Sequence, residues 1–276
     1  MDISNVAQNL KLGDDGIWYS PEASSISYPE SGNEWCFQIE NESYWFRHRN
    51  QCIKTLIRNF SPPGIVFDIG AGNGFVAAAI QEIGIDVVVI EPGESGAQNA
   101  KARGLENVVC STFEKAGFLK ESLPAASLFD VIEHIEQDVE FLIAVHDRLI
   151  DGGMLYISTP AYDLLRSVED DYAEHYRRYT ISGLDKRLEQ AGFLVEFSSY
   201  IFSFLPIPIA LFRTLPSRLG FKRDYHLEQD TGRHRLPDGV TGKLLSKIMD
   251  YEIKRLARGK RIPFGGSCLV AARKVR

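Results

Sequence analysis

The run Ile65-Val66-Phe67-Asp68-Ile69-Gly70-Ala71-Gly72-Asn73-Gly74 constrains this chain more than any other part of it. An apolar strand ends on an acid, and glycine then stands at every second position. A helical pattern starts at once with Phe75-Val76-Ala77-Ala78-Ala79-Ile80. Strand, glycine turn and helix in that order build a ligand site at the carboxyl end of a parallel sheet. The glycines allow a tight turn and a close approach of ligand to backbone. Asp68 narrows the ligand. Its carboxylate favours a molecule with a cationic portion and a ribose, and it repels a pyrophosphate.

A βα alternation continues downstream. Residues 86–90 form an apolar strand closing on Glu91, 95–103 are helical, and 108–110 are a short strand. Residues 125–129 lead to Asp130, and 137–149 read as a helix. Asp151-Gly152-Gly153 reads as a turn before a strand over 154–158. Residues 179–190 predict a helix, 193–198 a strand, and 267–272 the last strand of the same sheet. The fold class is therefore α/β, a Rossmann-like, mostly parallel sheet with helices on both faces.

Residues 40–59 carry Trp45, Phe46, Ile53, Leu56 and Ile57 at helical spacing, and Ser61-Pro62-Pro63-Gly64 breaks that helix. Residues 1 to about 33 are rich in Ser, Gly, Asp, Asn and Pro and predict an irregular arm. The expected division is an N-terminal arm and helix over 1–60, an α/β core over 61–199, an inserted helical subdomain over 200–263 and a final core strand over 264–276.

Composition excludes several classes. A net charge of −6 gives no global attraction to nucleic acid. Cys36, Cys52, Cys110 and Cys268 are scattered without CxxC spacing, which indicates isolated thiols, not a zinc site or a disulfide framework. The N-terminus is polar, and no run approaches the ~18 apolar residues of a membrane span. A cytoplasmic protein is expected.

Glu91 lies 17 residues after Gly74, at the end of the second strand. An acid there can accept hydrogen bonds from both hydroxyls of a ribose, or it can be a solvated carboxylate at a strand end. Pro92-Gly93 then turns the chain away. The spacing is GxGxG, whereas nicotinamide dinucleotide sites usually carry GxGxxG. S-adenosylmethionine, with its sulfonium and ammonium, suits Asp68 better than a dinucleotide does.

The segments Phe67–Gly74, Ile90-Glu91-Pro92 and Leu128-Phe129-Asp130-Val131-Ile132-Glu133-His134-Ile135 resemble those of class I S-adenosylmethionine-dependent methyltransferases. The likeness is nearest the small-molecule branch that includes quinone and glycan-cluster methyltransferases. Leu149-Ile150-Asp151-Gly152-Gly153-Met154-Leu155 resembles the family's later Leu-x-x-Gly-Gly turn. The resemblance covers roughly residues 40–198 and the end strand. It implies a seven-stranded sheet whose last strand is antiparallel, with the cofactor over the carboxyl ends of the strands. It also implies Gly70, Ala71, Gly72 and Gly74 at the methionine portion, Glu91 and Pro92 at the ribose, Ser111, Thr112 and Phe113 at the adenine, and Asp130 at the methyl-transfer point. Relatives carry an acid near Thr112, where this chain has a hydroxyl followed by Glu114.

Tyr44-Trp45-Phe46-Arg47-His48-Arg49 resembles an aromatic-Trp-Phe-x-x-Arg helix of some relatives. Trp45 closes over the cofactor and Arg49 pairs with its carboxylate on that reading. On the other, Trp45 packs and Arg49 is on the surface.

Two histidines are candidate bases, because imidazole titrates near neutrality. His134 follows Asp130, and it can equally cap or pack the next helix. Glu133 and Glu136 are expected to face solvent or a helix N-terminus. His175 lies in Glu174-His175-Tyr176-Arg177-Arg178-Tyr179-Thr180, similar to a His-x-Arg-x-Tyr run that relatives carry over the site. Arg177, Arg178 and Tyr179 would orient an anionic or hydroxylated substrate, or form a helix-opening loop of solvated charges. No metal set stands out.

Residues 201–212 are strongly apolar, interrupted by Pro206 and Pro208, and Arg213, Arg218, Lys222 and Arg223 follow. Such a segment packs on the core, covers an apolar or phosphorylated substrate as a lid, or meets an anionic membrane surface through 201–223. The functional expectation is methyl transfer from S-adenosylmethionine to a small-molecule or lipid- or glycan-linked acceptor, at oxygen, leaving S-adenosylhomocysteine. The competitors are a dinucleotide-binding oxidoreductase and a non-catalytic binder of the same cofactor. Asp130-Val131-Ile132-Glu133 stands where base-flipping methyltransferases carry an NPPY-like tetrad, so nucleic acid is not the expected partner.

Overall fold

The computed structural model describes residues 3–21, 36–218 and 236–275. Its strands are β1 (Lys11–Leu12), β2 (Ile17–Tyr19), β3 (Val66–Ile69), β4 (Val87–Ile90), β5 (Val108–Cys110), β6 (Leu123–Phe129), β7 (Leu149–Pro160), β8 (Phe193–Ile201) and β9 (Ser267–Lys274). They form one sheet in the order β1-β2-β5-β4-β3-β6-β7-β9-β8. β3 to β7 pair in parallel, and β9 is antiparallel to both neighbours, β7 and β8.

The sheet has nine strands, not seven. The two extra ones come from the segment expected to be an irregular arm. Ile17, Trp18 and Tyr19 pair in parallel with Val108, Val109 and Cys110, and β1 folds back on β2 around Asp14-Asp15-Gly16. Turn residues dominate the composition there, but Ile17 is buried and its neighbours complete a sheet edge. Asp151-Gly152-Gly153 is likewise no separate turn. It lies inside β7, where the pairing with β6 shifts register between Leu123 and Ala125.

The principal helices are α1 (Tyr44–Asn59), α2 (Phe75–Gln81), α3 (Glu94–Ala102), α4 (Asp138–Arg148), α5 (Ile181–Gln190) and α6 (Gly239–Ala257). Ser43 opens α1 as its N-cap, its hydroxyl accepting from the Phe46 amide, and Thr180 caps α5 in the same way. Two apolar layers sandwich the sheet. One contains Ile53, Leu56 and Ile57 of α1, Val76 and Ile80 of α2, Ala97 and Ala100 of α3 and Leu256 of α6. The other contains Phe141, Leu142 and Val145 of α4 with Leu184 and Leu188 of α5. Alternate residues of one strand serve opposite layers, Val66 the first and Phe67 the second. Asp68 therefore projects to the side that α1 covers.

Between β8 and β9, residues 206–218 are a continuous helical stretch, and α6 packs against α1. Lys222 and Arg223 of the insert lie outside the described residues. Among the described residues no helix is long and apolar enough to cross a membrane.

Candidate active site

The carboxyl ends of β3, β4 and β6 open into a cavity of about 550 Å³. Its wall includes Trp45, Arg49, Asp68, Gly70, Ala71, Gly72, Glu91, Pro92, Ser111, Thr112, Phe113, Asp130, His134 and His175. Gly74 is absent from this wall. A Cβ on it would come within 2.4 Å of Leu105 Cδ1 and 2.9 Å of the Ala100 methyl, at φ +73°. Gly74 serves close packing of the turn on α3, not approach of a ligand.

Asp68 is 2% exposed, and its Oδ1 accepts from the Ser127 hydroxyl at 2.7 Å. Burial drives its carboxyl up to about 7, against opposing help from Ser127 and the Arg49 charge. Glu91 accepts from the Gly72 amide at 2.7 Å and the Gly93 amide at 2.8 Å, and burial raises it to about 7 as well. Neither acid forms an ion pair with a side chain among the described residues. A cation arriving in the cavity would favour the ionised form of both.

Asp130 ends β6 with φ +57°, in the left-handed region. Ser158 holds its Oδ1 at 3.1 Å, and Arg49 Nη1 donates to its Oδ2. Arg49 is therefore a buried residue of the pocket, not a surface arginine. Its guanidinium also lies 4.9 Å from the Trp45 ring centroid. Its buried Nε has no hydrogen-bond partner among the described residues. An unused donor on a buried cation fits a ligand carboxylate. With two uncompensated acids nearby, the lining matches the charge pattern of S-adenosylmethionine, which is an ammonium, a carboxylate and a sulfonium.

Glu133 corrects the expectation of a solvated acid. It is 0% exposed, takes the Thr159 hydroxyl at 3.0 Å on Oε2, and has no partner on Oε1 among the described residues. Burial and the neighbouring Asp130 push its carboxyl well above the ordinary range. Glu136 is exposed as expected.

The two histidines meet edge to face, 4.7 Å between ring centroids. Burial, with the neighbouring His175 ring, lowers His134 to about 4. Nδ1 of His175 lies 2.9 Å from Asp170 Oδ1. Asp170 also receives Arg178 through Nε at 2.7 Å and Nη2 at 3.0 Å, and the Ser167 amide. Burial opposes ionisation of Asp170, but His175 and Arg178 outweigh it and hold the carboxyl well below its usual range. An ionised Asp170 accepts the Nδ1 proton, so the neutral His175 ring keeps its lone pair on Nε2.

Arg177, Arg178 and Tyr179 do not line the cavity. Arg177 Nη1 pairs with Asp138 at 2.7 Å, and its Nη2 donates to the Glu136 carbonyl. Tyr179 is buried, its hydroxyl donating to Asp138 at 2.8 Å. This run fastens the loop after β7 to α4, while its neighbour His175 faces the cavity.

Sequence reasoning missed Glu40, Asn73 and Phe75 of the wall. Glu40 is buried, takes Arg103 Nη2 and Asn73 Nδ2, and so ties residues 36–40 over the glycine turn. No local motif marks that link. Donor atoms of Glu133, His134 and His175 all lie within 4.8 Å of one another, as do those of His48, Cys52 and Glu252. The first set faces the cavity, and one carboxylate with two imidazoles is a donor set that divalent metals accept.

A methyltransferase domain family matches residues 44–196, more than half of the chain. The chain belongs to that family. A probable S-adenosylmethionine-dependent methyltransferase of Mycolicibacterium smegmatis is 27% identical over 176 residues, 61% of this chain and 66% of that protein. A ubiquinone biosynthesis O-methyltransferase of Colwellia psychrerythraea is 25% identical over 100 residues, 34% of this chain and 41% of that protein. The match thus spans under two thirds of these relatives. A Haemonchus contortus phosphoethanolamine N-methyltransferase 2, solved with S-adenosyl-L-methionine, shares the fold at TM-score 0.56 and 16% identity, covering 94% of this chain and 62% of its own. The family uses S-adenosylmethionine, which removes the dinucleotide oxidoreductase as an alternative.

Proposed function

We propose that this methyltransferase-family chain methylates an oxygen of a small-molecule or lipid- or glycan-linked acceptor. The observation that carries this is the Asp170–His175 pair, with His175 in the lining of the cavity that also takes in Asp68 and Glu91. An oxygen nucleophile of high pKa needs a base, and His175 has the geometry of one. The name of the Colwellia relative, an O-methyltransferase, agrees.

Asp68, Glu91 and Arg49 would hold the cofactor, and Trp45, Ser111, Thr112 and Phe113 line the same cavity. When bound, the cofactor supplies an electrophilic methyl on a positively charged sulfur. With the cofactor bound, His175 Nε2 would take the proton of the acceptor hydroxyl, and the S–CH3 electron pair would return to the sulfur. Asp170 stabilises the imidazolium that results. His134, neutral at pH 7 and a weak base, walls the acceptor side.

His175→Ala should lower kcat by about 10²- to 10⁴-fold while leaving cofactor affinity within twofold. An unchanged kcat would transfer the base role elsewhere. Cofactor binding without turnover on any phenolic or hydroxylated acceptor would favour a non-catalytic binder.

The insert is the acceptor-side element in this account. Ile207, Leu211, Phe212 and Leu215 of the 206–218 stretch are half or more exposed. Thr214 Oγ1 donates to the Leu165 carbonyl at 3.1 Å, which joins the stretch to the loop bearing His175. Such a face suits an acceptor presented at an anionic membrane. Co-sedimentation with phosphatidylserine-containing vesicles tests this: Phe212→Asp should weaken binding severalfold, and absence of binding by the wild type would refute it.

A further inference from the structure

The insert reaches the cofactor wall through one buried carboxylate. Glu252 of α6 is 1% exposed and faces four donors. They are His48 Nε2 at 2.9 Å, the Phe202 amide at 2.9 Å, the Ser203 amide at 2.6 Å and the Ser203 hydroxyl at 2.5 Å. Burial opposes its charge, but these partners outweigh burial and lower its carboxyl. Two successive amides on one carboxylate make an anion nest. The nest exists because Phe202 stands at φ +60°, where a bulky residue rarely rests unless its surroundings impose it.

Those surroundings act from both sides. The Gly266 amide donates to the Phe202 carbonyl at 3.1 Å. A Cβ on Gly265 would lie 2.1 Å from the Ile201 carbonyl oxygen, so only glycine permits this corner. With its backbone fixed, the buried Phe202 ring stacks on Trp45, 5.4 Å between centroids and 2° from parallel. It also meets His48 edge to face at 5.1 Å. Trp45 and Arg49 line the cavity, whereas His48, Phe202, Ser203 and Glu252 do not.

We propose that Glu252 is a positioning residue for cofactor binding: it clamps the Phe202–Ser203 corner and His48, and thereby fixes the Trp45 ring and the adjoining Arg49 at the cavity wall. This rests on the cofactor assignment made above. It makes the insert part of the cofactor site and not only a cover for the acceptor.

A double-mutant cycle on S-adenosylmethionine affinity, read by calorimetry, tests it. Glu252→Gln should weaken binding roughly tenfold in the wild-type background and less than about twofold in a Trp45→Ala background, because both changes remove the same wall. Equal penalties in the two backgrounds, or no penalty in either, would overturn the proposal. Trp45 emission in the unliganded protein is the second readout, isolated from Trp18 and Trp35 by subtracting the Trp45→Phe spectrum. It should shift in Glu252→Gln, and an unshifted spectrum would overturn the clamp. Wild type that fails to bind S-adenosylmethionine would overturn the cofactor assignment, and the emission comparison would still decide whether the clamp exists. Should Glu252→Gln fail to fold, Ser203→Ala removes one donor of the four and should give the same non-additivity at roughly threefold.

Discussion

Two walls of one cavity treat charge in opposite ways. On the wall built by β3 and β4, Asp68 and Glu91 are buried acids held by a hydroxyl and by backbone amides, and neither is matched by a cationic partner in an ion pair. Behind the wall that carries His175, Asp170 meets Arg178 and His175, Asp138 of α4 meets Arg177 and Arg187 of α5, and Asp171 meets Arg166. The first wall leaves a charge to be satisfied by a ligand. The second satisfies its charges internally and exposes only the far side of one imidazole. A dense run of charged residues therefore marks a loop that must be held rigid, while an acid without an ion-pair partner marks where a cation goes.

Substitutions should separate the walls. Arg178→Ala leaves the 1%-exposed Asp170 with His175 and an amide alone, and should cost about 3 kcal/mol of stability in a denaturant melt. Its cofactor affinity should hardly change. Equal stability with lost cofactor binding would erase the distinction between the walls.

The acids on the cofactor wall predict a pH effect. Both rise to about 7 in the fold, from ordinary values near 4. Above pH 4 the folded state keeps protons that the unfolded state has lost, so stability falls as pH rises through 7. His134, lowered to about 4, slopes the other way, but only below pH 6.5. Between pH 6.5 and 8 the two acids should remove about 1.5 kcal/mol, and saturating S-adenosylmethionine should abolish the slope. A flat unliganded curve would mean that the acids are already ionised. The smallest effect belongs to Arg177→Ala: its partner Asp138 keeps Arg187 and the Tyr179 hydroxyl, so the loss should cost about 1 kcal/mol and leave the acceptor KM unchanged.

That Asp68, Gly70, Gly72 and Glu91, proposed to hold the cofactor, come together at one cavity was legible because their chemistry is local. Asp68, the glycines and Glu91 sit at strand ends and turns whose spacing the backbone dictates. The nine-strand sheet was not legible, because β2 is only three residues, Ile17-Trp18-Tyr19, set among turn-forming ones, and it is held by pairing with β5 far along the chain. Glu133 was misread since a surface acid and a buried one look alike in sequence, and only Thr159 and the packing of β7 enclose it. Arg177, Arg178 and Tyr179 resembled a substrate clamp, yet their partners Asp138 and Asp170 come from elements that the motif does not contain. The Glu252 clamp spans 204 residues from His48 and carries no motif at all.

The central claim is that Asp68 and Glu91 create a pocket for a positively charged sulfur nucleoside. Calorimetric titration of wild type, Asp68→Ala and Glu91→Ala with S-adenosylmethionine tests it most directly. Wild type should bind, and each variant, folded by circular dichroism, should lose about 100-fold or more in affinity. Wild-type affinity in both variants would contradict the claim.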